Sequence, residues 1–310
     1  MSSDQPPIAL EVTAEEAGER IDRILSARAL GYSRAALQGW IVDGRVLVDG
    51  MTTRASARPR AGAKVIVQPA PPPPSEAVPE DIPLELLHVD DELAVLMKPA
   101  GLVVHPAPGH PQGTLVNALR FHLQVRDGDP LRPGIVHRLD RDTSGVMVVA
   151  RSVAAREGLI AQFKRHDIER SYLAIALGHP PQQQRLETLH GRHPVDRKRF
   201  TTRVSEGKSA ITELELVERL YGASLVRCTL HTGRTHQIRV HLSELGHPLL
   251  ADTIYGKPSR DPKLRAAEQA IGRQALHAEV LGFVHPVTGE RMRFVAQPPL
   301  DFARALSELR

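Results

Sequence analysis

Near the start of the chain apolar residues recur at helical spacing. Ile21, Ile24 and Leu25 predict a helix within 15–28, and Leu37, Trp40 and Ile41 predict a second after Ser33. Ser33 is the expected N-cap and Gly44 the expected stop. The pattern then shortens to period two. Residues 45–48 and 64–68 read as strands, with Asp49-Gly50 as a tight turn. These elements form one small module over 9–68, preceded by a polar, proline-containing tail at 1–8 that is expected to be disordered. Residues 69–81 follow, with four consecutive prolines at 71–74 that favour a stiff polyproline II spacer and mark a domain boundary.

From residue 82 to 310 the texture is mixed. A strand or hairpin is expected over 86–98 and a helix capped by Thr114 over 114–123. Residues 134–139 and 146–150 read as short β-rich runs flanking a polar loop at 140–145. A helix over 152–165 and strands over 171–177 and 225–230 come next. Thr235 is the expected cap of a helix bearing Ile238, His241, Leu242 and Leu245, closed by Gly246. Phe283, Met292 and Phe294 suggest a terminal hairpin. Strands and helices do not alternate regularly, so the expected class is α+β, not doubly wound.

Composition narrows the function. The 310 residues allow two domains, at roughly 150 residues each. A net charge of +4 permits a nucleic-acid partner without demanding one. Aromatics at 4% argue against a protein that binds by stacking many bases. A single cysteine, Cys228, excludes a disulfide framework, a zinc ribbon and a CxxC redox site, and fits a reducing, cytoplasmic setting. No secretory signal is read at the N-terminus. The longest apolar stretch, Leu93 to Met97, is far short of a membrane span, so no membrane partner is expected.

Several chemistries can be set aside. Fifteen histidines invite a metal reading, but there is no HExxH, and His236 and His241 on one helix would sit about 140° apart. Gly207-Lys208-Ser209 echoes the end of a phosphate-binding loop, yet Thr202 stands where that loop needs glycine, so no nucleotide cofactor is expected. There is no GxSxG, and Cys228 sits in an apolar run that suits a buried thiol. Two basic patches remain. One holds Arg192, Arg197, Lys198, Arg199, Arg203 and Lys208; the other holds Arg20, Arg23, Arg28, Arg34 and Arg45. Alone each fits a solvated surface, but together they suit a long polyanion. The sharpest feature is His137-Arg138-Leu139-Asp140, closed by Thr143-Ser144-Gly145. A carboxylate beside an arginine stays ionised and can act as nucleophile or base in a dry pocket; a surface salt bridge is the plain alternative.

The stretch Gly134-Ile135-Val136-His137-Arg138-Leu139-Asp140 with Thr143-Ser144-Gly145 resembles the catalytic motif of the RluA-type pseudouridine synthases. Other segments resemble that family in order: Lys98-Pro99-Ala100-Gly101-Leu102 with His105-Pro106, Arg170 to Ala174, Gly233 to His241, Gly246-His247-Pro248 with Tyr255-Gly256, and Leu276-His277-Ala278 with His285-Pro286. Residues 18–67 resemble an S4 RNA-binding domain, which points to the branch acting on large-subunit (23S) ribosomal RNA. The resemblance departs in small ways. Asp49-Gly50 replaces Asn-Gly, Ala251-Asp252 replaces Gly-Asp, and Arg170 replaces lysine.

The resemblance implies a mixed, largely antiparallel catalytic sheet, a small N-terminal S4 module, and isomerisation of uridine to pseudouridine without a cofactor. It implies Asp140 as the essential carboxylate, paired with Arg239. Tyr172 would stack on the uracil, Arg138 would fill the space left by the flipped base, and Leu276 would form an apolar wall. His137, Arg234, His236, Gln237, Arg197, Lys198, Arg199, Arg20 and Arg34 are the expected RNA contacts. The expected partner is ribosomal RNA and the expected state a monomer. The competing reading is a non-catalytic RNA-binding ribosome-assembly factor on the same fold.

Overall fold

A computed structural model of the chain describes residues 6–28, 30–70, 77–106, 112–125 and 132–310. The chain divides into two units, Met1–Ser75 and Glu76–Arg310. The four prolines at 71–74 lie outside the described residues, as does the start of the expected tail.

The first unit contains β1 (Ile8–Glu11), α1 (Ile21–Ala27), α2 (Arg34–Val42), β2 (Val46–Val48), β3 (Met51–Thr52) and β4 (Lys64–Val67). Its sheet has the order β1-β4-β2-β3. Ile8 pairs with Val67, so the expected tail ends sooner than residue 8. The first helix is shorter than its apolar spacing suggests. Residues 14–18 form turns, because the Glu16 carboxylate accepts from the Thr13 N–H and binds Arg28. The second helix starts as expected, with the Ser33 side chain accepting from the Ala36 N–H. Asp49 and Gly50 have φ of 50° and 77°, the left-handed pair that a two-residue hairpin turn requires. Ile21, Leu25, Leu37, Trp40, Val46 and Val65 are part of one apolar core.

The second unit contains β5 (Glu85–Val89), β6 (Leu93–Lys98), α3 (Leu115–His122), β7 (Ser144–Ala150), α4 (Val153–Arg165), β8 (Glu169–Leu177), β9 (Gln183–Arg192), β10 (Phe200–Thr201), β11 (Lys208–Leu220), β12 (Ala223–Leu230), α5 (Gln237–Glu244), α6 (Pro262–Ile271), β13 (Leu276–Val284), β14 (Arg291–Val295) and α7 (Leu300–Leu309). Its sheet runs β10-β9-β11-β12-β8-β13-β7-β6-β5, with β14 beside β13. Every named pairing is antiparallel except β13 with β7, where His277 faces Ser144 and Ala278 faces Gly145. The fold is therefore α+β with a mixed, largely antiparallel sheet.

Two expectations are corrected here. Residues 134–139 are not a strand. They lie along the edge of β7 that β13 leaves open. The Ala150 N–H donates to the Gly134 carbonyl, Ile135 bridges Val149, and the Val148 N–H donates to the His137 ring. Side chain and loop thus replace a ladder. Nor does Thr235 cap α5. His236 holds that position, and the Thr235 carbonyl faces the His190 ring at 2.9 Å. Strands β9 and β11 and helices α6 and α7 were not anticipated. The last two pack together over the sheet through Ala267, Ile271, Phe302 and Leu309.

Candidate active site

The loop after residue 139 is held from two sides by Lys98, whose pKa burial lowers to about 7, and by Arg273. The Lys98 ammonium at the end of β6 donates to the carbonyls of Pro99, Leu102 and Arg141, at 2.7–2.9 Å. Three carbonyls match its three N–H donors. Arg273 donates to the Asp142 carbonyl and the Ser144 hydroxyl while its other edge holds Asp301. Asp140, between these anchors, therefore sits on a fixed backbone, and its own carbonyl accepts from the Thr143 N–H.

The Asp140 carboxylate meets Arg239 of α5, with Nη1 donating to Oδ2 at 3.0 Å. The other side of the same guanidinium is taken by Asp252, with Nε to Oδ2 at 2.7 Å and Nη2 to Oδ1 at 2.9 Å. Asp252 is fully buried and also accepts from the Ile254 and Tyr255 N–H groups. Burial pulls the Arg239 pKa down, but Asp252 and Asp140 outweigh it, so the guanidinium is raised and stays charged. Burial works the other way on Asp252, and Arg239 overcomes it to hold the carboxyl below its ordinary range.

Around Asp140 lies a cleft of about 500 Å³. Arg138, Lys164, Arg170, Arg234 and Arg239 line it, and Asp140 is the only carboxylate among the described residues that do. Leu139, Ile160, Phe163, Leu230, Ile238 and Leu276 supply apolar wall. Tyr172 of β8 is buried on the same wall. Burial raises its pKa, with Arg170 opposing and Asp140 adding, so the phenol keeps its proton. The cleft thus sets five cations and an apolar wall around one carboxylate.

The other expected contacts divide by what they already hold. Arg138 is exposed at the cleft. Leu276 opens β13 and is buried in the wall. Arg234 lines the cleft while its Nε donates to the Ser209 carbonyl. Gln237 lines the cleft with its amide already bonded within the fold. Its oxygen accepts from Thr232 and the Arg234 N–H, and its nitrogen donates to Ile211 and Thr212. His137 is also used structurally. Its Nε2 accepts from Val148, its ring stacks on Phe163 at 4.8 Å, and burial pulls its pKa to about 3. Arg197 and Lys198 stand exposed on the segment between β9 and β10, and Arg199 lies over the Tyr255 ring. In the first unit Arg20 and Arg34 both bind the buried Asp22 carboxylate. His236 faces Asp140 at 3.9 Å. The weight carried by Asp252 and Tyr255 was not foreseen; an acid buried against an arginine thirteen residues away leaves no local pattern.

Among the described residues, no group of three or more His, Cys, Asp or Glu is arranged to hold a metal ion, and no helix is long and apolar enough to cross a membrane. Residues 92–244 match the family model described as RNA pseudouridylate synthase. The "Ribosomal large subunit pseudouridine synthase D" of Xanthomonas campestris is 44% identical over 299 residues, 95% of this chain and 90% of that protein. The chain belongs to the RNA pseudouridylate synthase family. A second relative of this synthase, of the same name and from Pseudomonas aeruginosa, is 41% identical over 99% of this chain and 97% of its own. Among solved structures, human RNA Pseudouridylate Synthase Domain Containing 1 superposes on the synthase with a TM-score of 0.56 at 27% identity, covering 71% of this chain and 85% of that one. The chain is thus an RNA pseudouridine synthase, an isomerase acting on RNA.

Proposed function

We propose that the chain converts uridines of large-subunit ribosomal RNA to pseudouridine, with Asp140 as the reacting carboxylate. The observation that carries this reading is the cleft itself, five cations around a single acid whose one guanidinium partner is fixed from behind. Net chemistry is an isomerisation. The bond from ribose C1′ to uracil N1 breaks, a bond from C1′ to C5 forms, the proton leaves C5, and N1 takes a proton. A base inside a helix cannot reach Asp140, so the nucleotide must leave its stack. Tyr172 supplies a buried ring and a protonated phenol beside the carboxylate, which suits stacking on the extruded uracil. Arg138, exposed at the rim, suits the gap in the stack. Arg239 orients Asp140 and neutralises it in the resting site.

The first unit is proposed as an S4-type RNA-binding module, joined to the catalytic unit through residues 69–81. Arg20 and Arg34, braced by Asp22, would contact phosphates, which position the RNA without reading its sequence. The protein is proposed to act in the cytoplasm as a monomer, on free ribosomal RNA or an assembling particle.

The test is release of tritium from large-subunit ribosomal RNA labelled at uridine C5, because forming the new bond expels that hydrogen. Release by wild type and none by Asp140→Asn is expected. Tight RNA binding without release by wild type, on free RNA and on subunits, would instead indicate a binding factor.

A further inference from the structure

One histidine of the cleft has no role in the scheme above, and its surroundings give it one. His236 sits at the N-cap of α5 with φ 59° and ψ 20°, a left-handed conformation that side-chain-bearing residues rarely adopt. Its side chain makes no capping bond. Instead the ring lies edge-on between Phe200 and Tyr255, at centroid distances of 5.7 and 5.6 Å. Nδ1 is 2.9 Å from the Tyr255 hydroxyl, and Nε2 is 3.9 Å from Oδ2 of Asp140.

The tautomer follows from hydrogen-bond accounting. The Tyr255 hydroxyl accepts the Phe200 N–H at 2.9 Å. Among the described residues the Tyr255 proton has no acceptor other than Nδ1 of His236, so the arrangement that pairs it makes Nδ1 the acceptor. A neutral ring that accepts at Nδ1 carries its proton on Nε2, the nitrogen facing Asp140. Burial favours the neutral ring, against the pull of Asp140. Among the described residues, Arg239 Nη1 is the sole hydrogen-bond donor to the Asp140 carboxylate, and it binds the oxygen that His236 faces.

We propose that His236 is a positioning residue for the reaction: its Nε2–H closes on Oδ2 of Asp140 beside Arg239 when substrate is bound, leaving Oδ1 as the oxygen that meets the nucleotide, and Tyr255 fixes the tautomer that makes this possible. A small side-chain movement converts the 3.9 Å approach into a hydrogen bond. Two donors on one oxygen fix the carboxylate plane, which Arg239 alone leaves free to swing. Because Phe200 begins β10, directly after the basic segment at 192–199, the same hydroxyl links that segment to the carboxylate. This inference rests on Asp140 being the reacting group.

The experiment compares full-length wild type, Asp140→Asn, His236→Ala, His236→Gln and Tyr255→Phe. Single-turnover tritium release from C5-labelled large-subunit ribosomal RNA is measured alongside RNA affinity and melting temperature. His236→Ala is expected to slow release by about ten- to a hundredfold at unchanged RNA affinity. His236→Gln, whose amide N–H reaches a similar position, is expected to restore most of the rate. In wild type the His236 ¹⁵N chemical shifts are expected to show a protonated Nε2, and Tyr255→Phe should give a tautomer mixture. A wild-type rate in His236→Ala, or equal slowing in the Ala and Gln variants, would overturn the proposal, as would a protonated Nδ1 in wild type. Release by Asp140→Asn would overturn the reading beneath it instead.

Discussion

Asp252 holds Arg239 through Nε and Nη2, leaving Nη1 for Asp140. The acid that faces the cleft is thus oriented by an acid that never reaches it. Asp252→Asn keeps the volume but removes the buried charge opposite the guanidinium. Breaking a buried pair in this way costs about 3–5 kcal/mol. Turnover should fall by about a hundredfold through misplacement of Arg239. Thermal unfolding and single-turnover tritium release measure the two effects. A wild-type rate would show that Arg239 orients Asp140 without this support.

Acid should loosen the first unit in a defined window. Hydrogen bonds from Arg28 hold the Glu16 carboxyl at about 2 against an ordinary 4.5. Arg20 likewise holds Asp22 below its ordinary range. A carboxyl depressed in the folded state gives stability that is complete above its unfolded pKa and is lost as pH falls through the folded one. For Glu16 that window runs from 4.5 down to about 2. Trp40, the single tryptophan, is buried in this unit's core, so its fluorescence reports on this unit. Glu16→Gln should flatten the pH dependence across the window; an unchanged curve would assign it to Asp22.

Gly145 marks the closest approach between β7 and β13. Its φ is +129°, and a Cβ there would run into the Ala278 carbonyl oxygen, a backbone atom that cannot move aside. Gly145→Ala should therefore destabilise the second unit by several kcal/mol, beyond the roughly 1–3 kcal/mol of ordinary overpacking. Circular dichroism should show earlier melting of the large sheet while the Trp40 signal keeps its own transition. A single shared transition would mean that the two units unfold together.

The exposed pair Arg197 and Lys198 should act on affinity alone. Neither side chain holds an ion pair among the described residues, so Arg197→Ala with Lys198→Ala should leave the melting temperature within a degree or so. Removing one cation from a phosphate lowers the slope of log affinity against log salt by about 0.7–0.9. Binding to ribosomal RNA at several salt concentrations should therefore show a slope shallower by about 1.5 for the double variant. An unchanged slope would place the RNA elsewhere.

The site was legible in sequence where a residue's role is set by its neighbours along the chain. Ser33 capped its helix because an extended residue before an apolar helical run has the next turn's N–H groups to bind. Asp49-Gly50 turned because both positions needed positive φ. Asp140 and Arg239, ninety-nine residues apart, were paired only through the family resemblance, and their contact is present. Asp252 and Tyr255 act through partners on α5, which no local pattern reveals. The bonds that Gln237 makes within the fold were hidden for a related reason. Its amide nitrogen binds Ile211 and Thr212 of β11, a strand whose alternating pattern was overlooked. Ala251 adopts φ +58°, which accounts for glycine being the familiar residue there, though composition alone gave no sign of it.

The single parallel step in the large sheet also fixes a timetable. Ser144 meets His277 across 133 residues of chain, and Leu276 is the neighbouring residue that walls the cleft. At about 5–20 residues per second, translation needs some 7–27 s to travel that distance. Tyr172 and Arg239 are synthesised within that interval, while β7 still lacks the strand against which Gly145 closes. The wall that Leu276 gives the cleft around Asp140 is thus among the last parts of the site to be made.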